Sequence, residues 1–292
     1  MEKSSFSRKI FTLINTLLLL GFSIICLYPV LYVIFGSLSD ANMLMKYSGF
    51  LWKPIGINLD AYKALGQNKM ILVGYGNTLF VVIVATTINI IMTTIGAYVL
   101  SRKNLMLKKV IMIYIMITMY FSGGIIPGYL NIRNLGLYDS LWALILPAAI
   151  TTYNLIIMRT SFEAIPDSLI EAATIDGAGH GTIMFKVVLP LAKATVAVMI
   201  LYYGVAHWNS WFTAAIYLQN RMKYPLQLVL REILIQNDTS MMMQGGSVNN
   251  NSNIAETIKY AVIVVATIPI LCVYPFLQKY FAKGALVGAV KG

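Results

Sequence analysis

The stretch that decides the fold is IPDSLIEAATIDGAGHGTIMFKVVLP, residues 165–190. Pro166 suits the first turn of a helix, because its missing N–H is no loss there. Asp167 and Glu171 place negative charge near the same end, where the helix dipole favours it. The apolar residues that follow recur at helical spacing. We therefore predict a short helix that begins near Pro166.

The second half of this stretch is rich in glycine. Asp176-Gly177 ends the first helix, with Gly177 as the residue at positive φ. We predict that Thr182 caps a second short helix, which runs through Phe185. Pro190 then begins the next long helix. The stretch should form two short helices at an angle, as a compact projection.

The rest of the chain is far more apolar. Of the 292 residues, 58% are hydrophobic and 11% are charged, whereas soluble domains carry roughly 45–50% and about 25%. The mean hydropathy is +0.73. This composition excludes a soluble enzyme, a disordered tail and a small disulfide scaffold. Cys26 and Cys272 both lie inside apolar runs, so a disulfide framework has no support.

Runs without Asp, Glu, Lys or Arg divide the chain into membrane-spanning segments. The runs are 10–39, 70–101, 110–132, 140–158, 194–220 and 260–278. Each reaches or approaches the roughly 20 residues that a spanning helix needs. We predict an all-α polytopic membrane protein, a single domain over 1–292 with six transmembrane helices. The predicted spans are 11–38, 70–100, 110–131, 140–159, 190–219 and 258–280.

The Lys and Arg residues predict the orientation of these spans. With the N-terminus inside, inner segments hold thirteen of the 22 Lys and Arg residues, as the positive-inside rule expects. Both termini are then cytoplasmic, as are the loop 160–189 and the tail 281–292. The loops 39–69 and 220–257 are external. The first run is too long for a signal peptide and lacks a cleavage site, so we predict that it is retained.

The cytoplasmic loop carries a recognisable motif. Glu171-Ala172-Ala173, then Gly177, then Val187-x-Leu189-Pro190 resembles the EAA motif of ABC-importer permeases. That family usually has Ile at the position of Val187, which is a minor departure. Asp176-Gly177-Ala178 is the form seen in sugar-importer permeases.

Three other stretches extend the resemblance over nearly the whole chain. The tail from Tyr280 to Gly292 looks like that of maltose-type (MalG-like) permeases. Residues 120–127 and 207–212 are similar to the LplC/YtcP subgroup of carbohydrate importers. The resemblance is weakest in 221–257.

The resemblance implies the type I importer permease fold and an importer assembled from several chains. The partners are a second, homologous permease subunit, two ATPase subunits that hold ATP and Mg, and an extracytoplasmic solute-binding protein that delivers a sugar or oligosaccharide. This chain would bind no cofactor, perform no catalysis and lie among the lipids of the bacterial cytoplasmic membrane. It contains no Gly-x-x-x-x-Gly-Lys-Ser/Thr loop for ATP phosphates. The net charge of +11 comes from Lys and Arg residues that we expect to set the orientation of the spans in the membrane. We predict no nucleic-acid partner.

The implied contacts with the ATPase subunits fall in two places. The cytoplasmic loop contributes Glu171, Ala172, Ala173, Asp176, Gly177, Phe185, Leu189 and Pro190. The tail contributes Lys283, Gly284, Gly288 and Lys291. Its apolar residues favour burial along the ATPase interface.

Candidates for the substrate path are polar or aromatic residues inside the predicted spans. They are His207, Trp208, Asn209, Trp211, Tyr120 and Asn154. Polar side chains within a span usually face the bundle or a water-filled path, and aromatic rings and amides suit sugars. An interfacial aromatic belt with helix–helix hydrogen bonds explains them equally well. With two histidines and no ligand cluster, no metal site is predicted.

Two other functions stay open. An ABC importer for a non-sugar solute would have the same motif. A secondary transporter would usually carry an ionisable residue within a span, which the six runs lack, and would leave the motif unexplained. A membrane enzyme would need a cluster of nucleophile, base or metal ligands, which the sequence does not offer.

Overall fold

A computed structural model describes residues 6–236, 257–273 and 275. Within these residues the protein is helical and contains no strand, only an isolated antiparallel bridge between Ser39 and Ile57. The predicted tail, with Lys283, Gly284, Gly288 and Lys291, lies outside the described residues. So do the end of the predicted sixth span and 237–256 of the predicted external loop.

The helices follow one another with short connections. They are α1 (Phe6–Ser37), α2 (Ala41–Lys46), α3 (Asp60–Gln67), α4 (Lys69–Ser101), α5 (Lys108–Tyr120), α6 (Ile125–Asn134), α7 (Trp142–Ile145), α8 (Thr152–Glu163), α9 (Asp167–Ile175), α10 (His180–Ile183), α11 (Leu189–Leu191), α12 (Lys193–Trp208), α13 (Phe212–Tyr217), α14 (Leu226–Gln236) and α15 (Thr257–Val273). Short 3₁₀ turns occupy Leu146–Ala148 and Arg221–Lys223, and a π-helical turn occupies Met184–Val188.

Two of the described helices, α1 and α4, are long and apolar enough to cross a membrane unbroken. Three further candidates are helix pairs bent at a short break. The bend is 109° between α5 and α6, 47° between the α7 segment and α8, and 85° between the α10–α11 segment and α12. The described residues thus hold up to five spans if each bent pair is one span. The count of six stays a prediction.

Breaks interrupt the helices within the predicted spans 110–131, 140–159 and 190–219. At the first break, Gly124 has a φ of +87°, and Pro127 cannot donate a backbone hydrogen bond in the first turn of α6. At the second, Thr151 is extended before α8 begins. The third predicted span contains two breaks, one at Ala192 before α12 and one between Trp208, where α12 ends, and Phe212, where α13 begins. Hydropathy does not register such breaks, because the residues around them remain apolar.

The described residues fall into two compact units. The first contains the described residues up to Lys69 together with 232–236 and 257–268. In it the ring of Tyr28 contacts those of Phe50 and Trp52, and a Cβ at Gly36 would lie only 2.9 Å from the Tyr260 ring. α1 presents its apolar side chains at the surface of the described chain, which requires a non-aqueous neighbour.

The second unit contains 70–231 together with 269–273 and 275. Its main core joins α4, α8, the α10–α11 segment and α12, with Met158, Phe162 and Val188 fully buried. A Cβ at Gly96 would meet Leu155 Cδ1 at 3.1 Å, so a residue without a side chain lets α4 and α8 approach closely. This unit contains the candidate functional sites.

Candidate functional site

The first site is the segment 167–191, which we call the coupling segment for the role that its motif implies. α9 contains no buried residue. It ends at Ile175 with Asp176 as its C-cap, and Gly177 follows with a φ of +80°. The amide of Gly177 donates to Thr174 O at 3.0 Å and that of Ala178 donates to Ala173 O at 2.9 Å, as in a glycine-terminated helix. The predicted conformation of Gly177 is confirmed.

Two details of the prediction for this segment are wrong. The second short helix begins at His180, after Gly179, and has no side-chain cap, so Thr182 lies inside it. Pro190 does not begin the next long helix, which starts at Lys193 after a break at Ala192. Pro190 cannot donate to the preceding turn, and the π-helical turn Met184–Val188 precedes it.

The surface of the coupling segment is unusually apolar. Ile175 is 86% exposed and Phe185 is 64% exposed. Glu171, Ala172, Asp176 and Pro190 are also exposed, while Ala173 and Leu189 are half-buried. Exposed apolar side chains beside carboxylates are typical of a protein–protein contact surface. The residues that the motif singled out therefore lie where a partner can reach them.

Ion pairs tie the start of this segment to the loop after α4. Lys103 pairs with Asp167, and this hydrogen bond lowers the pKa of the Asp167 carboxyl. Glu163 Oε1 accepts from Lys108 Nζ at 2.7 Å and from Arg159 Nη2 at 2.6 Å. Burial raises the pKa of Glu163, but the two cations outweigh it, and the pKa lies below its ordinary value.

The second site is a buried polar cluster between α4 and α12, which we call the polar lattice (Asn89, Thr93, Tyr203 and His207). His207 Nε2 lies 2.8 Å from Asn89 Oδ1. That oxygen can only accept, so Nε2 carries the proton. Asn89 Nδ2 donates to the carbonyl of Ala148, which belongs to the break before α8.

Tyr203 lies one helical turn before His207 on α12. It also connects α4 to the break before α8. Its hydroxyl lies 2.7 Å from Thr93 Oγ1 and accepts from the backbone N–H of Thr151 at 3.3 Å. Asn89 and Thr93 are fully buried. A helix break at membrane depth frees backbone groups that need partners. The lattice supplies them, and it fixes the 148–151 break to α4 and α12.

Polar side chains also hold the segment 218–226. Asp139 Oδ1 accepts from the amides of Gln219 and Asn220, both at 3.0 Å, and Lys223 Nζ lies 2.8 Å from Oδ2. The Lys223 bond, followed by the two amides, lowers the pKa of Asp139 to about 2. Asn77 Nδ2 donates to the carbonyls of Met222 and Tyr224.

Comparison with known proteins identifies the family. Residues 90–287 match the family described as the binding-protein-dependent transport system inner membrane component. The chain belongs to this family. This permease is 43% identical over 279 residues to the polygalacturonan/rhamnogalacturonan transport system permease protein YtcP of Bacillus subtilis, covering 94% of this chain and 96% of that one. It is 40% identical over 284 residues to the protein LplC of the same organism, with 97% and 96% covered.

A solved structure supports the same conclusion about the fold. The permease superposes with a TM-score of 0.86 on a chain of a bacterial ABC transporter involved in the import of the acidic polysaccharide alginate. The two are 34% identical, and the match covers 96% of this chain and 100% of the other. The all-α permease fold of ABC importers, expected from the sequence, is confirmed.

The predicted substrate-path residues of the permease differ in exposure. His207, Trp208 and Asn154 are buried, whereas Asn209 and Tyr120 are exposed. His207 belongs to the polar lattice. Trp211 lies half-buried beneath the guanidinium of Arg231, whose Cζ is 3.1 Å from the ring centroid. The structure thus leaves Asn209 and Tyr120 as the accessible members of the set.

Trp208 borders an apolar cavity of about 550 Å³ between α4, α12 and the end of α15. Its lining is almost wholly aliphatic. Within the described chain, Thr86 Oγ1 is a buried side-chain oxygen without a hydrogen-bond partner. Such a lining does not suit a hydroxyl-rich ligand.

Sequence reasoning missed Asn89, Thr93 and Tyr203. A signal was available, since Asn89 and Thr93 lie four residues apart in a charge-free run and so share one helix face. Arg231 and Asp139 were also missed. Their partners are remote along the chain, so no local pattern identifies them.

Proposed function

We propose that this permease is a subunit of an ATP-driven importer that carries an acidic oligosaccharide across the bacterial cytoplasmic membrane. The observation that carries the transport role is the exposed coupling segment with its apolar side chains and its glycine turn. The relatives support the substrate class. One is named for polygalacturonan and rhamnogalacturonan, and the solved transporter is involved in alginate import.

The proposal includes several partners. Two ATPase subunits bind the coupling segment and hold ATP and Mg, because this chain has no phosphate-binding loop. A second, homologous permease subunit completes the membrane part. A solute-binding protein delivers the sugar from outside. Both termini and the coupling segment lie on the cytoplasmic side, in keeping with the distribution of Lys and Arg.

The transport mechanism we propose is alternating access. Irregular backbone at membrane depth is tolerated where it lines a water-filled cavity or is buried in protein. Two breaks can therefore border a sugar path, one at Phe121–Gly124 and one at Asn209–Trp211. Tyr120 directly precedes the first break, and Asn209 belongs to the second. ATP-driven movement of the coupling segment would open this path alternately to the two sides.

Uptake by proteoliposomes tests the proposal. The complete importer, with ATP inside and its solute-binding protein outside, should accumulate oligogalacturonides. It should not accumulate them with a non-hydrolysable ATP analogue. Carboxyl-reduced oligosaccharides of the same linkage serve as the matched neutral ligand. Equal uptake of both ligands would overturn the acidic substrate class, and uptake without hydrolysable ATP would overturn the importer itself.

A further inference from the structure

The coupling segment has a second contact with α4 that the motif does not include. His180, the first residue of α10, places Nδ1 3.2 Å from the hydroxyl of Tyr98. The two rings meet edge to face, with centroids 6.2 Å apart. Tyr98 lies on α4 and is 6% exposed. We propose that this contact transmits movement of the coupling segment directly to α4, and that Tyr98 and His180 are positioning residues for transport. The inference rests on the proposed function.

The covalent path out of the coupling segment is poorly suited to carry that movement alone. It passes through the π-helical turn Met184–Val188, the break at Ala192 and the 85° bend before α12. A wide turn followed by a sharp bend interrupts the regular ladder of helix hydrogen bonds. A displacement of α9 would therefore be partly lost through deformation of this turn and bend, and α12 would move less.

Tyr98 offers a stiffer connection. It belongs to the hydrophobic core that contains Phe162 and Val188, and α4 runs unbroken for 33 residues. The guanidinium of Arg102 lies over the same ring, with Cζ 4.8 Å from the centroid. The ring therefore contacts Arg102 as well as His180 and is 6% exposed, so its hydroxyl has a defined position for His180.

The coupling segment also reaches this region through Ile183, Met184 and Val188, which pack in the same core as Tyr98. The other polar link between the two is weaker. Lys103 and Asp167 form an ion pair whose side chains are 78% and 46% exposed. Exposed pairs contribute little, because water screens them and both side chains lose freedom. The Tyr98–His180 contact is partly buried and joins the start of α10. Of these two polar contacts, it is thus the one better placed to fix the start of α10, next to the glycine turn, against α4.

The test uses the complete importer in proteoliposomes. Four variants are compared with the wild type: Tyr98→Phe, His180→Ala, the double variant and His180→Gln. Basal ATPase activity, activity stimulated by oligogalacturonide-loaded binding protein, and complex yield are measured for each. Tyr98→Phe and His180→Ala should lower the ratio of stimulated to basal activity by about threefold to tenfold, the size of one hydrogen bond.

Three results distinguish a positioning role of Tyr98 and His180 in transport from a general contribution to the stability of the permease. The double variant should be no worse than the worse single variant, since both remove the same contact. His180→Gln, which keeps a polar group within reach, should recover most of the ratio. Tyr114→Phe, at an exposed tyrosine of α5, is the matched control and should change nothing.

An unchanged ratio in Tyr98→Phe, or an equal fall in basal and stimulated activity, would overturn the inference. Gly177→Val distinguishes this from failure of the proposed function. If Gly177→Val abolishes stimulation and Tyr98→Phe leaves the ratio intact, the coupling role stands and only the second contact is wrong. If Gly177→Val also leaves stimulation intact, the coupling role itself is wrong.

Discussion

The coupling segment and the polar lattice are built in opposite ways. The first has an exposed helix, α9, and a glycine turn, although Ile183, Met184 and Val188 anchor its second half in the main core. The second is buried, and its partners are separated by about a hundred residues, as in the contacts of Asn89 with His207 and of Thr93 with Tyr203. One region needs another molecule to complete it, whereas the other is completed by its own chain. Mutations should therefore affect activity in the first and stability in the second.

The sharpest test of this contrast is Gly177→Val. A β-branched residue at a φ of +80° is a steric outlier, so the turn between α9 and α10 must change. We expect nearly complete loss of ATPase stimulation by loaded binding protein, with the permease still inserted. The thermal midpoint of the isolated permease should fall only by the cost of this backbone strain, because a Cβ at Gly177 would have no heavy atom of the described chain within 4 Å.

Gly181→Val is the matched control for this variant. Gly181 lies in α10, is equally open and has no positive φ. It should retain most of the stimulation. An equal loss of stimulation in both variants would show that added bulk, and not backbone conformation, is responsible. That result would contradict the special role of the Gly177 turn.

The difference between the two regions also explains what the sequence could predict. Helix starts, glycine stops and charge-free runs are local, so the coupling segment and the order of the helices could be read from residues close together. The polar lattice could not, since periodicity says which face Asn89 occupies but not which residue of another helix meets it. The wrong position for the start of the next long helix has a similar cause. Pro190 is a local signal for a helix start, whereas the break occurs at Ala192 in the packed structure.

The polar lattice should respond to Asn89→Ala. This change removes the acceptor for His207 Nε2 and the donor to the Ala148 carbonyl. Unpaired buried polar groups cost about 1–3 kcal/mol each, so the thermal midpoint of the purified permease should fall measurably. Asn209→Ala removes the same amide at an exposed position and should leave the midpoint unchanged. A wild-type midpoint in Asn89→Ala would mean that the lattice does not hold the helices.

A finer test compares two adjacent tyrosines of α12. Tyr203→Phe removes only the hydroxyl that joins Thr93 to the backbone of Thr151, and should cost roughly 1 kcal/mol of stability. Tyr202→Phe makes the same change on a side chain that is 41% exposed and should cost nothing measurable. Thermal unfolding of the two variants side by side would decide the point, and equal midpoints would contradict it.

The smallest effect is expected at Asp139, which shares features of both regions. It is a charged side chain near the surface, yet it joins residues about eighty positions apart. The pKa of its carboxyl is about 2 in the folded protein, because Lys223 and two amides stabilise the anion, and about 3.9 in an unfolded chain. A folded pKa below the unfolded one means that the contribution to stability is fully present above pH 4 and is lost as the pH falls towards 2.

Asp139→Asn isolates this contribution, because Asn keeps an oxygen for the two amides and tolerates the φ of +52° found at this position. The variant should have a slightly lower thermal midpoint than the wild type at pH 6, and the difference should shrink as both are brought to pH 3 and below. A bond between partly exposed groups contributes little, so the measurement needs paired samples in the same detergent. A constant difference across this range would assign the role of Asp139 to its backbone conformation. A difference that grows in acid would contradict the sign of the pKa shift.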